Sequence, residues 1–136
     1  MDFVVGDDTG YSDSDNITKS NAPEFEISVP ADVESVSVTL NGTVTSLTKD
    51  ESGRWIYSAP ALADGNYTLD VSVVDKAGNT ASTELKFVVD TTLSTPTIDL
   101  AAASDTGTLS NDHLTNDTTP YFTLDNIDSD AYSVTV

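Results

Sequence analysis

Residues 98–136 restate the opening of the chain. Asp105-Thr106-Gly107 repeats Asp8-Thr9-Gly10 at an offset of 97 residues. At the same offset Asp2 meets Asp99, Asp15 meets Asp112, Thr18 meets Thr115, Pro23 meets Pro120 and Phe25 meets Phe122. Self-similarity at a fixed period is the mark of a repeat architecture. The 136 residues therefore read as one module of about 97 residues followed by the opening of a second.

The repeated element is an acidic loop. Residues 7–18 read Asp-Asp-Thr-Gly-Tyr-Ser-Asp-Ser-Asp-Asn-Ile-Thr and hold four carboxylates with no base among them. Like charges so close repel unless something cationic sits between them. Asp, Ser, Asn and Thr oxygens are hard donors, of which calcium takes about six to eight. The plainer reading of the same acids is a solvated, solubilising surface. The whole chain shares the bias, with 23 acidic and 5 basic residues and a formal charge of −18. Nucleic acid is an unsuitable partner, since phosphate binding needs a basic surface, and an anionic membrane surface is unsuitable for the same reason. No apolar run approaches spanning length, so membrane insertion is not expected. No signal-peptide pattern opens the chain, as expected of a piece of a longer array. The absence of Cys removes disulfides, thiolate zinc sites and thiol nucleophiles.

The remaining pattern is that of strands. Residues 1–5 form a short apolar run. The long polar loop of residues 7–22 follows, and loops of that length are uncommon and usually functional. Phe25, Ile27 and Val29 alternate with polar residues, as do Val36, Val38 and Leu40, then Trp55 and Tyr57, then Tyr67, Leu69, Val71 and Val73, and last Leu85, Phe87 and Val89. Alternation of this kind marks half-buried strands. Asn41-Gly42 is a two-residue hairpin signal that returns the chain through residues 44–47. Short strands with turn signals every 8–12 residues or so predict an all-β, Ig-like antiparallel β-sandwich of about seven strands. No stretch has a helical period. The expected core is Phe25, Ile27, Val36, Val38, Trp55, Tyr67, Leu69, Val71, Leu85 and Phe87. The aromatics are placed inside rather than on a sugar-binding platform because they fall in phase with the aliphatic face. The expected division is a domain at 1–92, a linker at 93–97, and an incomplete second repeat at 98–136 with counterparts of the first three strands only. Three strands without an opposing sheet leave an apolar face in water. That segment is therefore expected to be poorly ordered or to pack on another chain.

Three groups of residues carry a resemblance. They are Ala63-Asp64-Gly65-Asn66-Tyr67-Thr68-Leu69, Val74-Asp75-Lys76-Ala77-Gly78-Asn79-Thr80 and Phe87-Val88-Val89-Asp90-Thr91-Thr92. With the two Asp-Thr-Gly loops, in this order and spacing, they resemble bacterial Ig-like repeats. Such repeats are strung in many copies in giant surface adhesins, of the RTX or biofilm type, exported by type I secretion. The resemblance implies calcium bound within and between repeats, and a place on the bacterial cell surface. Carried over residue by residue, it implies Asp8, Asp15 and Asp90 converging at one pole with Asp64 nearby, and Asp75 at the opposite pole. Asp7 and Asp13 are extra acids of unassigned role. Asp105 and Asp112 match in the second repeat, where the late-strand partners are absent, so a site there should be weak or empty. His113 falls where the first repeat has Asn16 and is given no role.

Other motif readings fail. Asp13-Ser14-Asp15 starts like an EF-hand loop, but the required Gly and closing Glu are missing. No Ser/His/Asp grouping is credible, and the paired carboxylates lie on loops without an evident cleft for glycosidase chemistry. The expectation is therefore not an enzyme but a structural extender, with neighbouring repeats as its partners and a host-surface or biofilm-matrix ligand met through other parts of the parent. The alternative is a module whose loops grip a glycan or host protein, for which Tyr11 is the one aromatic in the first loop. A hydrolase and a plain spacer without metal complete the set.

Overall fold

The computed structural model of the chain describes residues 1–4 and 6–135, so Val5, which ends the expected first strand, and Val136 lie outside the described residues. The chain divides into two units, Met1–Thr92 and Leu93–Val136.

Unit 1 is a two-layer β-sandwich. One sheet has the order β1 (Asp2–Phe3), β3 (Glu24–Ile27), β6 (Trp55–Ser58). The other has the order β2 (Ile17–Thr18), β8 (Thr80–Val89), β7 (Gly65–Asp75), β4 (Val33–Leu40), β5 (Thr43–Ser46). The alternating residues form these strands because one face of each can be buried against the other sheet. Phe25, Val36, Val38, Leu69, Val71, Phe87 and Val89 are almost wholly buried. Phe25 joins the layers: its ring lies 4.7 Å from Phe3 in its own sheet and 5.0 Å from Phe87 in the other. Offset and tilted aromatic pairs at these separations add to the area they bury. The expected core needs two adjustments. Tyr67 and Leu85 are half-buried and pack against the core from its margin. Phe3, Val33, Leu40, Tyr57, Ala59 and Val89 belong inside it.

Among the described residues unit 1 has eight strands, one more than expected. The addition is β2, which lies inside the long loop and pairs with β8, Ile17 to Val88 and Thr18 to Val89. This pairing is parallel, so the sandwich is antiparallel everywhere except along that edge. Two residues among Asp, Asn and Ser give no alternation to read. What holds them is tertiary: Val88 N–H donates to Asn16 O, Asp90 N–H donates to Thr18 O, and Thr18 is fully buried.

Turn chemistry sets the rest. Asn41 and Gly42 have φ of 51° and 76° and join Leu40 directly to Thr43, the two-residue hairpin the dipeptide specifies. Tyr67 donates its hydroxyl to Ala63 O at 2.8 Å, pinning the turn before β7 in the manner of a tyrosine corner. Asp75 closes the β7–β8 turn by accepting from Ala77 N–H, Asn79 N–H and Asn79 Nδ2.

Unit 2 consists of β9 (Thr97–Leu100) and β10 (Phe122–Asp125), an antiparallel pair. Its register reproduces that of unit 1: Phe3 faces Phe25 as Leu100 faces Phe122, and Asp2 faces Glu26 as Asp99 faces Thr123. The expected third strand is absent among the described residues after Asp125. Its counterpart β4 is held on one side by β7 and on the other by β5, and unit 2 has neither partner. Residues 93–97 bond into unit 2: Ser94 N–H donates to Asp128 Oδ2, Asn126 Nδ2 donates to Thr95 O, and Thr97 opens β9.

Candidate functional site

The acidic loop of unit 1 is tied down by its own side chains. Asp7 Oδ2 accepts Glu24 N–H at 2.6 Å, fixing the loop's base to β3. Asp8 Oδ2 accepts Asn16 N–H at 3.3 Å, across a loop whose far side turns at Asn16 with φ 61°. Asn is among the few non-glycine residues that enter this region readily. Thr9 Oγ1 accepts Lys19 N–H at 2.8 Å. Asp15 Oδ1 accepts Ile17 N–H at 3.1 Å, the side-chain turn that leads into β2.

Asp8 Oδ1 is buried and accepts no hydrogen bond from the described residues. Burial pushes the Asp8 carboxyl above its ordinary range; the Asn16 N–H opposes this, while repulsion from Asp15, Asp2 and Asp13 adds to it. Buried polar atoms are nearly always paired, so an orphan of this kind calls for an explanation.

Unit 2 builds the same loop from different residues. Asp105 Oδ2 accepts His113 N–H at 3.4 Å, and His113 has φ 59°. Thr106 Oγ1 accepts Asn116 N–H at 2.9 Å, and Asp112 Oδ1 accepts Leu114 N–H at 3.1 Å. Ser104 takes the place of Asp7, its Oγ accepting Tyr121 N–H at 3.0 Å as Asp7 accepts Glu24. Asp105 Oδ1 is again buried and unpartnered.

The other predicted acids are placed as follows. Asp64 Oδ1 accepts the N–H and hydroxyl of Thr91, and its Oδ2 accepts the Thr92 hydroxyl. These bonds hold its carboxyl below the ordinary range, led by the Thr91 hydroxyl. Asp90 lies in the same segment and accepts Thr92 N–H. The structure thus brings Asp8 near Asp15 and Asp13, ahead of β2, and Asp64 beside the segment of Asp90, beyond β2. It does not draw the two groups into one: among the described residues no three His, Cys, Asp or Glu side chains stand together as a metal-holding group. Asp75 is near the opposite pole, next to Val33 of β4. Both of its oxygens serve its own turn, and Asn79 leads in holding its carboxyl low.

Sequence reasoning missed four participants. Asp2 acts on Asp8 from β1. Thr9 and Thr18 bring their hydroxyls to 3.4 Å of each other within the loop. His113 pairs through Nε2 with Asp99 Oδ1 at 2.8 Å. The repeat offset already matched Asp2 to Asp99 and Asn16 to His113, and that is the signal from which the last pair could have been found.

A 3 + 5 sandwich with a tyrosine corner, followed by a second start in the same register, defines an immunoglobulin-like repeat protein. A model of the bacterial Ig-like domain family matches residues 1–91 and again residues 92–136, and the chain belongs to that family. No curated protein matches it.

Proposed function

We propose that the chain is a structural extender from a bacterial cell-surface adhesin, secreted to the surface, whose sandwich is stiffened by calcium at its acidic loop. The single observation that carries this reading is Asp8 Oδ1, a buried carboxylate oxygen with no partner, surrounded by further acids. Calcium would supply the missing positive charge and bind hard oxygens in flexible geometry. The donor types present suit that chemistry; no three of these carboxylates stand together among the described residues, so Asp8, Asp13 and Asp15 would have to close around the ion, with the Ser12 and Ser14 hydroxyls close in sequence. Asp64 and Asp75 are engaged by Thr91, Thr92 and Asn79 and would have to release those partners to join a metal.

The loop's residues explain how binding becomes stiffness. Asp7 ties the loop to β3 and Asn16 ties it to β8. Removing the repulsion inside it therefore steadies its attachment to one inner strand of each sheet. Stabilisation follows mass action, about 2.7 kcal/mol when the free ion is 100 times its dissociation constant. Adhesion and biofilm formation would be served by holding other parts of the parent away from the cell.

The test is a thermal melt of the chain in EDTA and then in rising calcium, beside an Asp8→Ala, Asp15→Ala double variant. A melting point that climbs with calcium in the parent and stays flat in the variant is expected. Equal melts of the parent with and without calcium would sink the reading and leave the acids as solvated surface.

A further inference from the structure

We propose that β5 is a self-association edge, to which a second copy of this chain adds its own β5, antiparallel, across a two-fold axis. No metal is involved. β5 ends the five-stranded sheet and has β4 on one side only. Leu40 faces Thr43 across the two-residue turn, Val38 faces Thr45, and Leu47 N–H donates to Val36 O. Bonded pairs in an antiparallel ladder alternate with unbonded ones. Thr43, Thr45 and Leu47 are therefore the residues that bond to β4. The N–H and C=O groups of Val44 and Ser46 point outward along the free edge. Val44 is 67% exposed, and Ser46 is exposed.

Free edges are normally guarded by charge, proline, a bulge or brevity. The other edges of this chain are guarded in these ways. β1 and β2 have two residues each; β1 contains Asp2, and Asp15 and Lys19 stand at the ends of β2. The length of β8 beyond β2 carries Glu84 and Lys86. β6 is bridged at Trp55 by Lys49 and followed by Pro60. β9 and β10 contain Asp99 and Asp125. β5 has no guard: residues 41–48 read Asn-Gly-Thr-Val-Thr-Ser-Leu-Thr, without charge or proline, and β5 runs in unbroken register with β4. A groove of about 740 Å³, with Thr43, Thr45, Leu47, Ile56 and Pro60 in its lining, keeps β6 off this edge and leaves it open to a neighbour.

The charge distribution selects the partner. A basic peptide would be drawn to the acidic edges rather than to an edge without carboxylates. A partner that is itself acidic needs such an edge, and a second copy, with its formal charge of −18, is one. It also brings a matching strand. With Thr45 on the two-fold axis, Val44 of each copy faces Ser46 of the other, and the outward groups of these residues exchange four hydrogen bonds. Thr45 meets its mate as the close, unbonded pair on the groove side, where Thr–Thr contacts are favourable. The two sheets join into one of about ten strands, the upper range of open sheets. The charge of each copy opposes the approach, so association strengthens as salt screens it.

The experiment is sedimentation equilibrium of the whole chain in EDTA, from micromolar to millimolar protein, in about 0.01 M and about 0.15 M sodium chloride. The amides of Val44 and Ser46 are followed by NMR over the same range. Ser46→Pro removes an N–H that β4 does not use and leaves the net charge unchanged. Val44→Glu puts a carboxylate on the edge, and melting curves check that both variants fold. The expected result is a monomer–dimer equilibrium that tightens with salt, with shifts of the Val44 and Ser46 amides that track the dimer. Ser46→Pro, which deletes two of the four bonds, should raise the dissociation constant about tenfold or more. A chain that stays monomeric at millimolar concentration in the higher salt would overturn the proposal. So would a dimer that both variants leave intact, since the contact would then lie elsewhere, as on the exposed Phe122 of β10. A dimer that loosens as salt rises would be held by ion pairs and would overturn it too. Should neither variant fold, the parent's amides decide: shifts that spare Val44 and Ser46 would overturn the proposal.

Discussion

Asp8 is a carboxylate whose contribution changes sign with its surroundings. Its folded pKa is raised, chiefly by burial. The stability linked to it is therefore present below the ordinary carboxylate range and lost as pH rises through the folded value. At neutral pH without calcium the charge is a cost, so Asp8→Asn in EDTA should melt at or above the parent, and the difference should vanish in acid. A neutral-pH parent that clearly outlasts Asp8→Asn in EDTA would mean that the carboxylate finds its counter-charge inside the chain. Asp50 and Asp75 behave in the opposite way. Arg54 N–H leads in lowering Asp50, and the Asn79 side chain leads for Asp75. Their contribution is present above the ordinary range and lost as pH falls through the folded values. Asp75→Ala should accordingly lower the neutral melting point and flatten the acid limb of a pH–stability curve. An unchanged acid limb would assign that limb to other carboxylates. The same three acids show how unevenly residues can be read from sequence. That Asp75 sits in a turn is legible from Asp-Lys-Ala-Gly-Asn, but that its oxygens are spent on that turn is a matter of geometry.

At the scale of elements, alternation made β3, β4, β6, β7 and β8 legible, because burying one face of a strand leaves a period of two in the sequence. Turn residues made the β4–β5 hairpin legible. β2 leaves no such trace, since its two residues are held by β8 and by backbone bonds that only the folded chain provides. The candidate site was read in part for the same reason. Acids close in sequence, such as Asp8, Asp13 and Asp15, could be grouped; Asp2 acts on Asp8 from β1, a proximity that only the folded chain provides. The turn into β7 gives a test at this scale. Tyr67→Phe removes one hydroxyl bond to Ala63 while leaving the ring on Phe87, whose centroid is 5.4 Å away. The loss should be about 0.5–1.5 kcal/mol. In a domain of this size each kcal/mol lowers the melting point by roughly 4–8 °C, which calorimetry resolves. A variant as stable as the parent would show that water replaces the carbonyl at no cost.

For the whole molecule, the question is how much of the acidity is a site and how much is a field. A formal charge of −18 repels itself throughout the folded chain. All five Lys and Arg lie in unit 1. Arg54 is shared by Glu26 and Asp50, and Lys86 pairs with Glu84, all of them exposed enough for solvent to weaken the attraction. A diffuse field is screened by any salt, with a Debye length that falls from about 30 Å at 0.01 M to about 8 Å at 0.15 M. A binding site saturates instead, and its ion is specific. In EDTA, sodium chloride should therefore raise the melting point gradually and without saturation across that interval. Calcium should add a further rise that saturates in the low millimolar range and survives in about 0.15 M sodium chloride, where the field is already screened. The controls are sodium chloride at matched ionic strength and magnesium at matched concentration. If matched sodium reproduces the whole calcium effect, the acids act only as a field and the loops hold no ion. If magnesium reproduces it, the loops hold a divalent ion but do not select by the tolerance of irregular oxygen shells. A calcium increment that neither control supplies separates the site from the field and attaches the stiffness of the repeat to its acidic loops.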